Sequence, residues 1–227
     1  IKKKYSSADV VIAANVICHL PDINDIFAAI GTILSKNGVF VFEEPYLGDV
    51  YRFNTFDQIY DEHVFLFSLH SIEKIANKFN LNVFDSKMVS THGGSMRYYV
   101  CRKGVFEKSD ECKSLFEREN IEGINKIESF RLFTKNCLDF KKAFNKKFNE
   151  IKNNKKICAY AATSKSTTLF NFCEIDENII DCIFDSTPEK QGLFSPGMHI
   201  PVIDAKKFLE TDYDVSVLLA YNHADEI

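Results

Sequence analysis

The chain has 227 residues, 45 % of them hydrophobic and 21 of them phenylalanine, enough for one large domain or two ordinary ones with aromatic-rich cores. Its 28 Lys and Arg against 32 Asp and Glu leave a net charge of −4, with no basic surplus of the kind a nucleic-acid partner demands. Seven cysteines without a C-x-x-C pair argue against a disulfide framework or a zinc site, and no apolar run approaches the roughly 18 residues of a membrane span. Scattered, reduced core thiols in a cytoplasmic protein are the expectation. The chain opens on Ile1 and enters a strand within ten residues, as the tail of something longer would.

Asp9 to Asn15 is a short continuous apolar run ending in small residues, which predicts a buried parallel strand whose carboxyl end opens onto a site. Val16 to Asp22 turns the chain, and Asp22 or Asn24 can cap the helix in which Ile23, Ile26, Phe27, Ile30 and Leu34 repeat. Asn37-Gly38 should stop that helix, and Val39 to Phe42 form a second buried strand ended by Glu43-Glu44-Pro45. Two buried strands joined by a helix make a right-handed βαβ unit.

An aromatic and acidic loop then leads to Tyr60-Asp61-Glu62-His63, where a phenol, two carboxylates and an imidazole sit between apolar flanks. Histidine ionises near pH 6.5, so a small push makes it an acid or base at cellular pH, and a neighbouring carboxylate can orient the ring. The plain alternative is a polar turn ahead of the helix that Ser68 caps, with Ile72, Ile75, Ala76 and Phe79 on one face. Leu81 to Val89 and Ser95 to Arg102 read as a hairpin joined through Gly93-Gly94, where positive φ is allowed.

From 108 to 154 the composition shifts to Lys, Asn, Glu and Phe, with Gly123 the one glycine, and helical spacing predicts one or two long connecting helices with a solvated basic face. A second αβ pattern follows. Ile157 to Ala162 is a strand, Thr163 to Thr168 opens a helix, and Ile179 to Phe184 is a strand ending at Asp185. Residues 191–197 form a loop, 200–202 a short extended piece, 202–210 a stretch that includes a small helix and 215–220 the last strand. The N–H groups at the Ser164 to Thr168 helix start make an anion site to which Lys165 adds charge. Asp185, at the carboxyl end of a strand, is placed like the acids that accept ribose hydroxyls in Rossmann folds. The expected parts are 1–107, a helical connector over 108–154, and an α/β domain over 155–227.

Several motifs together resemble one family, the SAM-dependent C-methyltransferases of nucleotide-linked deoxy-ketosugars. They are Asn15 to Asp22, Tyr60 to His63, Thr91 to Arg97, Ala159 to Lys165, Asp185 to Gly192, Ser195 to Pro201 and Ala220 to Ile227. The resemblance implies an α/β fold: the C-terminal half of a Rossmann-like methyltransferase sheet, a helical connector, and a smaller Rossmann-like domain that completes a nucleotide-sugar site. It implies His63 as the base that removes the proton α to a ketone, with Tyr60 and Glu62 beside it and His19 as a second site histidine. Asn15, Thr91, His92, Lys165, Asp185, Lys190 and Asn222 are the implied substrate-binding residues. The family usually carries His where this chain has Asp61. S-adenosylmethionine is the implied cofactor, its site incomplete because no glycine loop follows a first strand, and zinc is expected only in an N-terminal domain outside this chain. The competing expectations are a nucleotide-sugar-binding module without methyl transfer and a methyltransferase with an oxygen or nitrogen acceptor.

Overall fold

The computed structural model describes residues 6–227, apart from the side chain of His92. The first apolar run forms β1 (Ala8–Ala14), parallel to β2 (Leu34–Pro45). Between them α1 (Ile23–Ile33) is capped by Asp22, whose carboxylate accepts from the Asn24 and Asp25 N–H groups, and it buries Ile23, Phe27 and Ile30. The helix ends earlier than Asn37-Gly38, and β2 starts at Leu34 instead of Val39. The cause is an irregular register: Ala8 pairs with Leu34 and Val10 with Val39, so β2 takes up extra residues at its start. Gly38 thus serves close approach and not helix termination, since a Cβ there would lie 2.8 Å from the Ala8 carbonyl oxygen.

The hairpin forms as read, β3 (Leu81–Val89) against β4 (Ser95–Arg102), with Gly93 and Gly94 at φ 85° and 122° in the connection. The sheet order is β1-β2-β4-β3, the β2–β4 contact being antiparallel. Phe40 stacks on Phe42 at 4.8 Å and Phe42 on Tyr98 at 4.9 Å, a fully buried aromatic ladder. Each such ring contributes about 1.5–3 kcal/mol through burial. Two helices pack with this sheet's core or lead to it: α2 (Leu47–Phe53) and α3 (Leu69–Lys78), the latter held by a Ser68–Ser71 capping box. The lysine-rich segment is two helices, α4 (Asp110–Glu122) and α5 (Ile127–Ile151), separated by Gly123 at φ 64°.

The second sheet is wholly parallel, order β7-β6-β5-β8, from β5 (Ile157–Tyr160), β6 (Ile183–Asp185), β7 (Val202–Asp204) and β8 (Val215–Leu218). Its helix is α6 (Ser164–Cys173). Ile157, Ala159, Phe170, Ile180, Ile183 and Ile200 form its core. The predicted strand over 179–184 is shorter, because the N–H groups of Ile179 and Ile180 bond to the Asp176 carbonyl in a turn that still buries Ile180. The small helix after β7 is the 3₁₀ segment Ala205–Glu210.

Chain contacts divide the molecule into two compact units, Ile1–Thr55 with Asp61–Phe133 and Phe56–Tyr60 with Thr134–Ile227. Helix α4 falls in the first unit, and α5 begins there and continues in the second. All seven cysteines are free and buried. Among the described residues no helix is long and apolar enough to cross a membrane.

Candidate active site

The carboxyl ends of β1 and β2 carry the first cluster. After β1, Asn15 takes φ 50° and its N–H bonds to the Glu43 carbonyl at 2.8 Å. The chain then enters a 3₁₀ turn, Ile17–His19. Glu44, fully buried, holds that turn: its Oε1 accepts from the N–H groups of Val16 at 3.0 Å and Ile17 at 2.6 Å. Glu44 Oε2 and Asn15 Oδ1 are buried without a hydrogen-bond partner among the described residues. Beside them the Cys18 thiol is 1 % exposed, and burial together with the Glu44 carboxylate pushes its pKa far above the usual thiol range.

His19, the last residue of the turn, donates its Nδ1–H to the Glu62 carbonyl at 2.7 Å, and the Phe65 N–H reaches the Cys18 carbonyl at 3.3 Å. These two bonds bracket His63, whose ring centroid lies 5.2 Å from that of His19 at 52°. A carbonyl only accepts, so the neutral His19 ring carries its proton on Nδ1 and its lone pair on Nε2. The structure thus brings His19, Glu62 and His63 together from distant parts of the sequence. Glu62 contributes its backbone carbonyl to this contact, while its side chain is exposed, as is that of Asp61. Tyr60 falls in the other compact unit.

Thr91 donates its hydroxyl to Glu43 Oε1 at 2.7 Å, and Arg97 binds Glu43 Oε2 through Nε at 3.1 Å and Nη2 at 2.8 Å. Both anchor the loop that carries Thr91 to the end of β2. Gly94 in the same loop has no room for a side chain, because a Cβ would lie 2.5 Å from Asp49 Oδ2. His92, by its side chain, lies outside the described residues.

The second unit holds another cluster. Thr163 caps α6 by a capping box with Ser166, and a cavity of about 300 Å³ opens there, lined by Ala162, Ser164, Lys190, Phe194 and Pro196 among others. Asp185, at the end of β6, accepts from the Ala162 and Thr187 N–H groups, each at 2.7 Å, with Lys190 Nζ at 3.6 Å. Burial opposes its charge, but the bonds from Thr187 and Ala162 and the nearby Lys190 outweigh it and hold the carboxyl below the usual range. Asp185 therefore staples this loop from the inside, and Lys190 Nζ donates to the Ala162 carbonyl at 2.7 Å. Asn222 sits in the 3₁₀ turn Tyr221–His223.

Lys165, half-buried at the start of α6, lies with Nζ 5.5 Å from the Tyr221 ring centroid. The Tyr221 hydroxyl donates to Asp57, 2.9 Å from Oδ2 and 3.2 Å from Oδ1. Sequence reasoning missed both Asp57 and Tyr221. Asp57 lies in the aromatic loop and Tyr221 in the closing motif, and nothing local announces a pairing across 164 residues. Burial raises the Asp57 pKa despite the Tyr221 bond and the Lys165 charge, and burial lowers that of Lys165 despite Asp57.

The sign of the first shift gives a measurable consequence. A carboxyl whose folded pKa exceeds its ordinary 3.8 favours folding in the protonated form. That contribution is complete below the unfolded pKa and is lost as pH rises through the raised folded value. Asp57→Asn keeps an acceptor for Tyr221 and has no such charge to bury. Wild type should therefore lose stability relative to the variant as pH climbs through this window, read from urea midpoints of both proteins. Parallel pH slopes would refute the assignment. Lys165 acts in a different window: a lowered lysine pKa costs stability as pH falls from 10.5 through its folded value.

Two family models match the chain in succession, and the second begins within the first compact unit. A family model described as "C-methyltransferase C-terminal domain" matches residues 90–227, and one described as "Methyltransferase domain" matches residues 1–86. The chain is 27 % identical over 229 residues to the C-methyltransferase NovU of Streptomyces niveus, covering 100 % of itself and 54 % of that relative. It thus spans about half the length of the curated relative it matches. Among solved structures, an S-adenosylmethionine-dependent methyltransferase from Clostridium acetobutylicum matches with a TM-score of 0.35 and 16 % identity over 43 % of this chain and 59 % of that one. A complex of the Haloferax volcanii Trm112 methyltransferase activator with a methyltransferase matches with a TM-score of 0.35 and 14 % identity over 42 % of this chain and 55 % of that one.

Proposed function

Since the family model for the C-methyltransferase C-terminal domain matches residues 90–227 and the chain belongs to that family, we propose that it is part of an enzyme that methylates a carbon next to the ketone of a nucleotide-linked deoxysugar. S-adenosylmethionine supplies an electrophilic methyl group on a sulfonium centre. His63 takes the proton α to the ketone. Bound S-adenosylmethionine would supply its methyl group to the enolate carbon, and the proton would stay on the His63 imidazole until it exchanges with solvent. His19, tied to the Glu62 carbonyl, orients the loop that carries the base, and Tyr60 and Glu62 assist it.

Asn15, Thr91 and His92 are proposed to meet the sugar, and Lys165, Asp185, Lys190 and Asn222 the nucleotide. Asn15 Oδ1, a buried acceptor without a partner at the carboxyl end of β1, fits a donor group on a bound cofactor or sugar. The observation that carries the reading is the His19–His63 pair, 5.2 Å apart and fixed through the Glu62 carbonyl. An isolated polar turn would have no need of that long-range tether.

The test is proton exchange. The protein carrying this chain, given a nucleotide-linked 4-ketosugar in deuterated water, should exchange the α-proton without methyl transfer, as followed by NMR. An oxygen or nitrogen methyltransferase, or a mere binding module, would bind the sugar and leave that proton in place.

A further inference from the structure

Three side chains with metal-binding atoms converge where the sequence offers no metal-ligand spacing. One donor atom from each of Cys18, His19 and His63 lies within 4.8 Å of the others, and among the described residues this is the group with such a geometry. In a tetrahedral site with Zn–S of about 2.3 Å and Zn–N of about 2.0–2.1 Å the donors stand about 3.4–3.6 Å apart. Shifts of about 1 Å in the two imidazoles would close the set, and these are the more exposed of the three side chains.

Two further observations support a metal. The ligands come from two segments already joined by backbone bonds, Phe65 N–H to the Cys18 carbonyl and the His19 Nδ1–H to the Glu62 carbonyl. Metal-ligating histidines characteristically donate the second ring N–H to such a carbonyl, which fixes ring and tautomer and leaves the other nitrogen for the metal. The third observation is chemical: one thiol and two imidazoles suit zinc or another thiophilic divalent ion, and three protein ligands leave a fourth position open.

We propose that Cys18, His19 and His63 bind a thiophilic divalent cation of the zinc class. Binding forms metal bonds to the Cys18 sulfur and one nitrogen of each histidine and releases the thiol proton to solvent. The buried, hard-to-ionise thiol opposes this, and a bound cation overcomes it because coordination deprotonates a thiol outright. Resting on the function proposed above, the consequence is regulatory: a metal on His63 occupies the lone pair that would take the α-proton, so the cation inhibits the enzyme.

The probe is Co²⁺ alone, titrated into this chain under reducing conditions. Binding should give a sulfur-to-cobalt charge-transfer band with intense tetrahedral ligand-field bands, which Zn²⁺ bleaches by displacement. Cys18→Ala should abolish the charge-transfer band. His19→Gln, at an exposed residue whose loss spares the core, should weaken affinity by at least the ~10–100-fold that losing even an outer-shell partner costs. A charge-transfer band that survives in Cys18→Ala, full affinity in His19→Gln, or no band in wild type overturns the site. Zn²⁺ should also halt α-proton exchange, and a chelator restore it. Exchange that continues under saturating Zn²⁺ overturns the inhibition. Cobalt binding through Cys18 in a protein that catalyses no exchange supports the metal site and overturns the C-methylation reading instead.

Discussion

His63→Asn should lower methyl transfer about 10²–10⁴-fold, the range for loss of a positioned general base, equivalent to about 3–5 kcal/mol of transition-state stabilisation. Affinity for the nucleotide-linked sugar should change little, because Asn keeps a polar side chain of similar size and removes only the proton acceptor. α-Proton exchange should disappear in the variant, which ties the loss to the first chemical step and not to cofactor binding. Glu62→Gln should slow exchange far less. The Glu62 contact with His19 runs through its backbone carbonyl, which the substitution leaves in place. His19→Gln should fall between the two, since the tether that brackets His63 weakens while the base survives. If His63→Asn exchanges the proton at the wild-type rate, the base lies elsewhere, and His19 is the next imidazole to remove.

The local parts of this fold were legible because periodicity and turn chemistry are local. Apolar runs gave β1, β2 and β5, although β1 is an edge strand that leaves Val10 and Ile12 exposed and not the buried strand expected, the Gly93-Gly94 pair gave the hairpin, and Gly123 left one or two helices open where two are found. What the sequence hid was long-range. The early start of β2 depends on its irregular pairing with Ala8, which no single-segment pattern reveals. Asp185 was legible as an acid at a strand end, yet not that its oxygens already accept from Ala162 and Thr187. The motif Tyr60 to His63 was legible as a run of titratable side chains, but the separation of Tyr60 from His63 into different compact units was not, because it follows from contacts of Phe56 with Phe140 and Phe172. Cys18 read as a scattered core thiol, and only the fold sets it beside two imidazoles.

Glu119→Ala should be strongly destabilising, by about 3–5 kcal/mol, the cost of removing one member of a buried charged network. Glu119 is fully buried, and its oxygens accept from the Tyr46 hydroxyl at 2.9 Å, the Leu69 N–H at 2.7 Å, the His70 N–H at 3.0 Å and His70 Nδ1 at 2.6 Å. The Leu69 and His70 N–H groups are among the four that open a helix without an intrahelical partner, and Ser68 Oγ serves the next, that of Ser71. A carboxylate here also meets the positive end of the helix dipole. Truncation leaves those donors and the Tyr46 hydroxyl dry and unpaired, at about 1–3 kcal/mol each before relaxation. Glu122→Ala, which removes only the part-exposed pair with Arg52, should cost no more than about 1 kcal/mol and serves as the control. The comparison is made by urea unfolding of each variant at neutral pH. A Glu119→Ala loss no larger than the control's would mean that water repairs the cavity and the network is not the anchor. The effect should reach the site as well. Tyr46 and Leu69 flank the segment that carries His63, joined by the Leu47 N–H to Phe67 carbonyl bond of 2.8 Å, and Glu119 fixes both flanks at once. Glu119→Gln keeps acceptors for part of this set, so it should fall between the two and lose exchange activity in proportion to stability, whereas His63→Asn loses activity with stability intact.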